Sequence, residues 1–192
     1  MLNSRIPSSY FNIYAFTETW LSNNVDNSEL GMKDYNIFRC DRNTQNSNLT
    51  RGGGVLIAVD NKLPSCYINI PENTLEIVIV QIKFDHKYVI LSSVYIPNKA
   101  SLEVYSKYFN VINDLYYNYP NSDFILLGDF NIPSAISANT NNFFTDNISF
   151  LNMFQFNNIL NSKNDILDYV ISNNNSIKVI VNQFPVVNVD SY

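Results

Sequence analysis

The chain has 192 residues, a formal net charge of −5 and 46% hydrophobic residues. That is enough apolar material for one folded, soluble domain with a sizeable core. No run of about 18 apolar residues occurs, which argues against a membrane-spanning helix, and the acidic balance counts against the basic surface usual in nucleic-acid binders.

The charge objection is moderate, because sites that gather divalent cations on carboxylates carry local negative charge. Met1-Leu2-Asn3-Ser4-Arg5-Ile6-Pro7 lacks the apolar core of a signal peptide. Cys40 and Cys66 stand far apart without nearby histidine, so neither a zinc pattern nor a disulfide framework is expected. The default setting is a reducing, intracellular compartment. Asparagine runs such as Asn173-Asn174-Asn175 read as surface loops.

In chain order, Ile13 to Thr17 is a short apolar run that predicts a buried strand, with Glu18 at its end. Ser22 to Glu29 is a polar loop, and Tyr35 to Arg39 a second strand. The polar stretch Asp41 to Thr50 runs into Arg51-Gly52-Gly53-Gly54, which leads into a strand over Val55 to Val59. Thr74 to Phe84 alternates, with Leu75, Ile77, Ile79 and Gln81 on one face and Glu76, Val78, Val80 and Ile82 on the other. Asp85-His86-Lys87 is a hairpin turn, and Tyr88 to Tyr95 the returning strand. Leu102 to Tyr119 has helical spacing, with Ser101 as N-cap, Glu103 in the first turn and Pro120 as the stop. Asp123 to Gly128 is a buried strand. Pro133 to Asn147 reads as loop, Phe150 to Phe156 as a helix, and Leu167 to Ser172 and Ile177 to Val181 as strands. With no repeat and no linker, residues 1–192 read as one α/β domain containing a mixed sheet.

The chemistry-bearing residues lie at strand ends. Asp129 and Asn131 follow a buried strand and share one face, while Phe130 points into the core. A carboxylate can take a proton from water, and an amide two residues on can donate to charge developing on phosphorus. The same three residues also make an ordinary turn. Glu18 suits a hard divalent cation, or is a solvated glutamate. Tyr95 offers a hydroxyl to a phosphate, or is a rim tyrosine. Asp168 in an apolar strand needs a partner, and an aspartate that orients a histidine is one arrangement. The one histidine, His86, belongs to the hairpin turn. Arg51-Gly52-Gly53-Gly54 is not followed by Gly-Lys-Ser/Thr, so it is no nucleotide phosphate loop. Arg51 and Asn98 are weak candidates for contact with DNA.

The order of these elements is more specific than any one of them: Glu18-Thr19-Trp20-Leu21, Arg51-Gly52-Gly53-Gly54-Val55, Tyr95-Ile96-Pro97, a helix, Gly128-Asp129-Phe130-Asn131, then Leu167-Asp168-Tyr169. Over about residues 10 to 192 the chain resembles the endonuclease domains of non-LTR retrotransposons, in the exonuclease–endonuclease–phosphatase superfamily. The resemblance implies a four-layer sandwich of two mixed β-sheets flanked by helices. It implies Mg2+ or Mn2+ at Glu18, Tyr95 on the scissile phosphate, Asp129 activating water beside Asn131, and Asp168 orienting a histidine. The implied activity is DNA nicking that leaves a 3′-hydroxyl for reverse transcription. The implied partners are DNA and a downstream reverse-transcriptase domain, with no membrane, and the implied place of action is the nucleus. The family's first strand, which carries an asparagine near the metal, precedes anything present here. Its closing histidine lies beyond Val189-Asp190-Ser191-Tyr192, where Asp190 is a weak metal candidate. The fold is therefore expected to be incomplete and this chain poorly active. Two alternatives stay open: a phosphatase of the same superfamily, and a catalytically dead retroelement relic.

Overall fold

The structure is a computed structural model that describes residues 11–49, 51–135 and 139–180. Nine strands form two sheets among the described residues. A three-stranded sheet has the order β1 (Ile13–Thr17), β3 (Val55–Asp60), β2 (Tyr35–Cys40), and its pairs are antiparallel. A six-stranded sheet has the order β4 (Ser65–Tyr67), β5 (Glu76–Phe84), β6 (Lys87–Tyr95), β7 (Ser122–Asp129), β9 (Asp168–Ser172), β8 (Phe154–Gln155). It is mixed: β6 and β7 run parallel, joined through helix α1 (Leu102–Asn118), and its other pairs are antiparallel.

The period-two pattern of β5 explains the layering. Ile77 and Ile79 face a core that contains Tyr105, Tyr108 and Ile112 of α1. Val78, Val80 and Ile82 face the other way, into a second core shared with Val55, Ile57 and Val59 of β3. Both faces are therefore buried, which accounts for the near-continuous apolar run. A third cluster, with Tyr14, Leu30, Tyr35 and Leu56, covers the outer face of the small sheet. There a single 3-10 turn at Asn27–Leu30 supplies the fourth layer, held by Asp26 and Glu29 in a reciprocal capping box. Among the described residues no helix is long and apolar enough to cross a membrane.

Three expectations need correction. Helix α2 occupies Thr140–Phe150, so most of it lies in the stretch Pro133 to Asn147 read as loop. Its Asn, Thr and Ser residues are poor helix formers, but Phe144, Ile148 and Leu151 follow helical spacing and are buried. Phe144 packs edge-on against Phe109, Phe130 and Tyr169, and this tertiary packing overrides local preference. The helix expected over Phe150 to Phe156 is instead a turn with Asn152 in the left-handed region, followed by β8. Residues 177–180 form no strand, and Ile180 is 83% exposed with no sheet beside it to bury it; Val181 lies outside the described residues. Ser101 does sit at the N-cap of α1 in an extended conformation, but its side chain makes no capping bond. The short edge strand β4 was not foreseen.

Candidate active site

The register of the large sheet creates a row of polar residues. Glu76 lies opposite Tyr95, Tyr95 opposite Asp129, and Asp129 opposite Asp168. Residues directly opposite one another in a sheet share a face. These four side chains, from four adjacent strands, therefore line one end of the face that looks toward the small sheet. Further along the same strands, that face is apolar: Val78, Val80, Ile82, Leu91, Ile125 and Leu127. The row is the polar rim of the inter-sheet core.

Glu18 reaches this rim from the small sheet. It follows β1 directly, and its backbone is held at φ 53, a strained region for a non-glycine residue. The Gly52–Gly54 loop enforces that conformation. Thr19 N–H donates to the Gly54 carbonyl at 3.2 Å and Trp20 N–H to the Gly53 carbonyl at 2.9 Å. The Glu18 Oε2 atom accepts from Gly53 N–H at 2.6 Å and from Trp20 Nε1 at 2.8 Å. The Tyr95 hydroxyl faces this carboxylate and interacts with it. Burial pushes the Glu18 carboxyl up, but the interactions with Tyr95, Gly53 and Trp20, with the nearby Arg42 charge, outweigh it and leave the pKa lowered. Glu18 is thus held ionised. Burial, reinforced by the Glu18 carboxylate, pushes the Tyr95 phenol up to about 12, so Tyr95 keeps its proton and can donate.

Asp129 has the opposite character. Burial, then repulsion from Asp168 and more weakly from Glu18, raises it to about 6, although Asn131 donates to it from both backbone and side chain. Its Oδ1 atom is buried and makes no hydrogen bond. Asn131 sits in the left-handed region at φ 47, and its Nδ2 also donates to the Ile96 carbonyl at 3.0 Å. Phe130 between them is fully buried, as its alternation requires. Asp168 is exposed at the end of the row, and desolvation by the surrounding chain raises its pKa.

The structure brings Glu18, Tyr95, Asp129, Asn131 and Asp168 to one end of the sandwich. Asn98 is exposed, three residues past Tyr95. Arg51 is exposed and lies over the Trp20 ring at 5.7 Å, next to Glu18. His86 is in the exposed β5–β6 turn, at the far end of two nine-residue strands from Tyr95. Asp190 lies outside the described residues.

Two site residues escaped the sequence reading. Glu76 and Arg42 form a buried ion pair, Nε to Oε1 at 2.7 Å, with side chains 4% and 6% exposed. Gly54 N–H donates to the Glu76 Oε2 atom. Arg42 Nη1 donates to the Arg51 carbonyl at 2.6 Å, and its guanidinium carbon lies 5.5 Å from the Tyr95 ring centre. A signal for Glu76 did exist: a carboxylate on the Val78–Val80–Ile82 face requires a buried cation. The pair also explains the third glycine-rich feature. A β-carbon on Gly53, already at φ 67, meets Arg42 Nη2 and Glu76 Oε2. Gly53→Ala is expected to lower the unfolding free energy by about 1–3 kcal/mol, read as a lower midpoint in urea denaturation.

Among the described residues no three His, Cys, Asp or Glu side chains converge tightly enough to hold a metal by themselves. Mg2+ does not need three, since it uses one or two carboxylates and keeps several waters. The buried, unbonded Oδ1 of Asp129 and the repulsion among Asp129, Asp168 and Glu18 fit a cation at this rim. The donor set is all oxygen, which suits Mg2+ or Mn2+.

Superposition on solved structures identifies the architecture. The endonuclease domain of TRAS1, a telomere-specific non-LTR retrotransposon, matches with a TM-score of 0.57 at 16% identity, over 83% of this chain and 72% of that one. The AP endonuclease LMAP of Leishmania major matches with a TM-score of 0.58 at 10% identity, over 84% and 69%. The chain has an endonuclease/exonuclease/phosphatase-like fold. The human Nocturnin catalytic domain shares the fold, with a TM-score of 0.58 at 15% identity over 84% and 69%. No family model matches the sequence, and no curated protein matches it. In this fold the polar row and Glu18 stand where the two sheets open at one end of the sandwich.

Proposed function

We propose that the chain is a divalent-metal-dependent phosphodiesterase of the retrotransposon-endonuclease type, which nicks DNA and leaves a 3′-hydroxyl. One observation carries the reading: Tyr95, Asp129 and Asp168 stand in a single row across the sheet, and Glu18, held by Gly53 N–H and Trp20 Nε1, meets that row from the other sheet. The fold shared with the TRAS1 endonuclease domain supports it.

The residues divide the work by protonation state. Asp129, with its pKa raised to about 6, is a base poised near neutral pH to take a proton from the attacking water. Asn131 is buried and bonded to Asp129 and the Ile96 carbonyl, so it fixes the base in place. That is a holding role, where the sequence suggested donation to phosphate. Tyr95 stays protonated and donates to a phosphate oxygen. Glu18 would hold the cation. When bound, Mg2+ or Mn2+ offsets phosphate charge and acidifies a water. Asp168 stands where a histidine would be oriented, but the one histidine of this sequence, His86, is at the far end of the sheet and cannot fill that role. Arg51 and Asn98 line the rim where a DNA backbone passes, and a reverse-transcriptase domain in the same polypeptide uses the new 3′ end, in the nucleus.

The test is nicking of supercoiled plasmid. Slow conversion to open circle is expected with Mg2+ or Mn2+, because no histidine of this sequence reaches Asp168, and it is expected to stop with EDTA. Equal nicking in EDTA, or by Asp129→Ala, sinks the reading.

A further inference from the structure

The Arg42–Glu76 pair lies just behind the face that would meet substrate, and nothing in the chemistry above uses it. Its surroundings are unusually constrained. Arg42 leaves the end of β2 and crosses to the start of β5, so the pair joins the two sheets at their polar end. Glu76 is directly opposite Tyr95 in the register. The Arg42 guanidinium is both bonded to Glu76 and set over the Tyr95 ring, its carbon 5.5 Å from the ring centre. The Gly53–Gly54 backbone closes the remaining side. Gly54 N–H holds Glu76, Gly53 N–H holds Glu18, and the Arg51 carbonyl holds Arg42. Residues from three other segments, the Arg51–Gly54 loop, β5 and β6, thus meet at one guanidinium. It is too deep to reach a substrate, since its side chain is only 6% exposed.

We infer that Arg42, clamped by Glu76, is a positioning residue that fixes the Tyr95 hydroxyl against Glu18 and so sets the geometry of the reacting end. The physical reason lies in the alternatives open to Tyr95. A tyrosine at a strand end has a rim to swing toward, and the nearby Glu18 carboxylate alone leaves its ring free to pivot. The guanidinium against its ring removes that freedom, and the Glu76 carboxylate stops Arg42 from leaving. A loss of about 1 Å in placement is enough to lower a rate by about 10²-fold. This inference rests on the phosphodiesterase reading for its kinetic consequence and on the contacts alone for its structural one.

The experiment therefore has two arms. Removing one partner strands the other charge in the interior, so Arg42→Met is paired with the double variant Arg42→Met/Glu76→Leu, in which both charges leave together. In the first arm, the protein carries tyrosine labelled with 13C at Cζ, and the Tyr95 resonance is assigned by its loss in Tyr95→Phe. Both variants are expected to shift or broaden that resonance while distant tyrosines stay in place. In the second arm, plasmid nicking is measured at saturating Mg2+. The double variant is expected to lose about 10²-fold in kcat with KM little changed. In a Tyr95→Phe background the same double change is expected to add less than about 3-fold, because contacting residues acting through one group are not additive.

A double variant whose Tyr95 resonance is unmoved and whose kcat equals the parent's overturns the inference and leaves the pair as a structural tie. A full additional loss in the Tyr95→Phe background also overturns it. If the parent itself nicks nothing with either metal, the phosphodiesterase reading fails, and the resonance arm still decides whether Arg42 fixes Tyr95.

Discussion

Replacing Asp129 by asparagine is expected to lower plasmid nicking by at least about 10³-fold and, at the same time, to make the folded protein more stable at pH 7. The two effects share one origin. In the folded chain the Asp129 pKa is raised from 3.8 to about 6 by burial and by Asp168 and Glu18. The folded state therefore binds a proton more readily than the unfolded state. Between about pH 4 and pH 6 this group's contribution to stability falls as pH rises, and above about 6 its full penalty is in place. An asparagine carries no charge to desolvate, and its carbonyl still accepts from Asn131. After discounting for solvent screening at a half-buried site, the gain at pH 7 is about 1 kcal/mol. That corresponds to roughly 2–4 °C in Tm for a chain of this size. The gain is expected to shrink as pH falls below about 6 and to be lost toward pH 3, where the parent carboxyl is protonated in both states. Catalysis follows the opposite sign. The parent's kcat/KM is expected to rise with pH and level off near or below pH 6, because a bound cation favours the ionised carboxylate. A variant that is both inactive and destabilised at pH 7 would argue that Asp129 serves the fold, not the chemistry.

Much of this arrangement was legible before any coordinates. The alternation of Glu76 to Ile82 against Ile77 to Gln81 assigned both faces of β5 correctly, because a strand buried on both sides still keeps its period of two. Glu18, Tyr95 and Asp129 were singled out from their place at a strand end and Asp168 as a carboxylate in an apolar strand, and the sheet register brings three of them into one row. What stayed hidden depends on distance along the chain. Arg42 lies in a polar segment without period, and its partner is 34 residues away in the other sheet. Local pattern carries no sign of such a pairing. Glu76 was placed on the right face, yet a glutamate among valines was itself a call for a buried cation that went unanswered. Helix α2 was missed for a different reason. Its Thr140-Asn141-Asn142 start looks like a loop, and only the packing of Phe144 against Phe130 and Tyr169 makes it a helix. That packing also supports the strand end from which Asp129 projects.

Gly128→Ala is expected to be the most destabilising small change in the chain. Gly128 stands opposite Val94 in the parallel β6–β7 pair at the middle of the large sheet. Its φ is +144, and a β-carbon there would be driven into the Val94 carbonyl and backbone. The neighbour is main chain in a central strand, so it has no rotamer to retreat to. Either the two strands separate or the peptide plane turns, and the φ itself disfavours any side chain. The strain and overpacking together are expected to remove about 3 kcal/mol or more of stability, or roughly 6–12 °C in Tm. The consequence for the site is as direct. The register places Val94 with Gly128 one step before Tyr95 with Asp129, and Ile96 N–H bonds the Asp129 carbonyl at 2.9 Å. Spreading the strands at Gly128 therefore moves Asp129 away from Tyr95. Nicking is expected to fall even at temperatures where circular dichroism shows the variant folded. Parent-like values for both the urea midpoint and the nicking rate would mean that β6 and β7 are not packed at this spacing, and the polar row would lose the scaffold that aligns it.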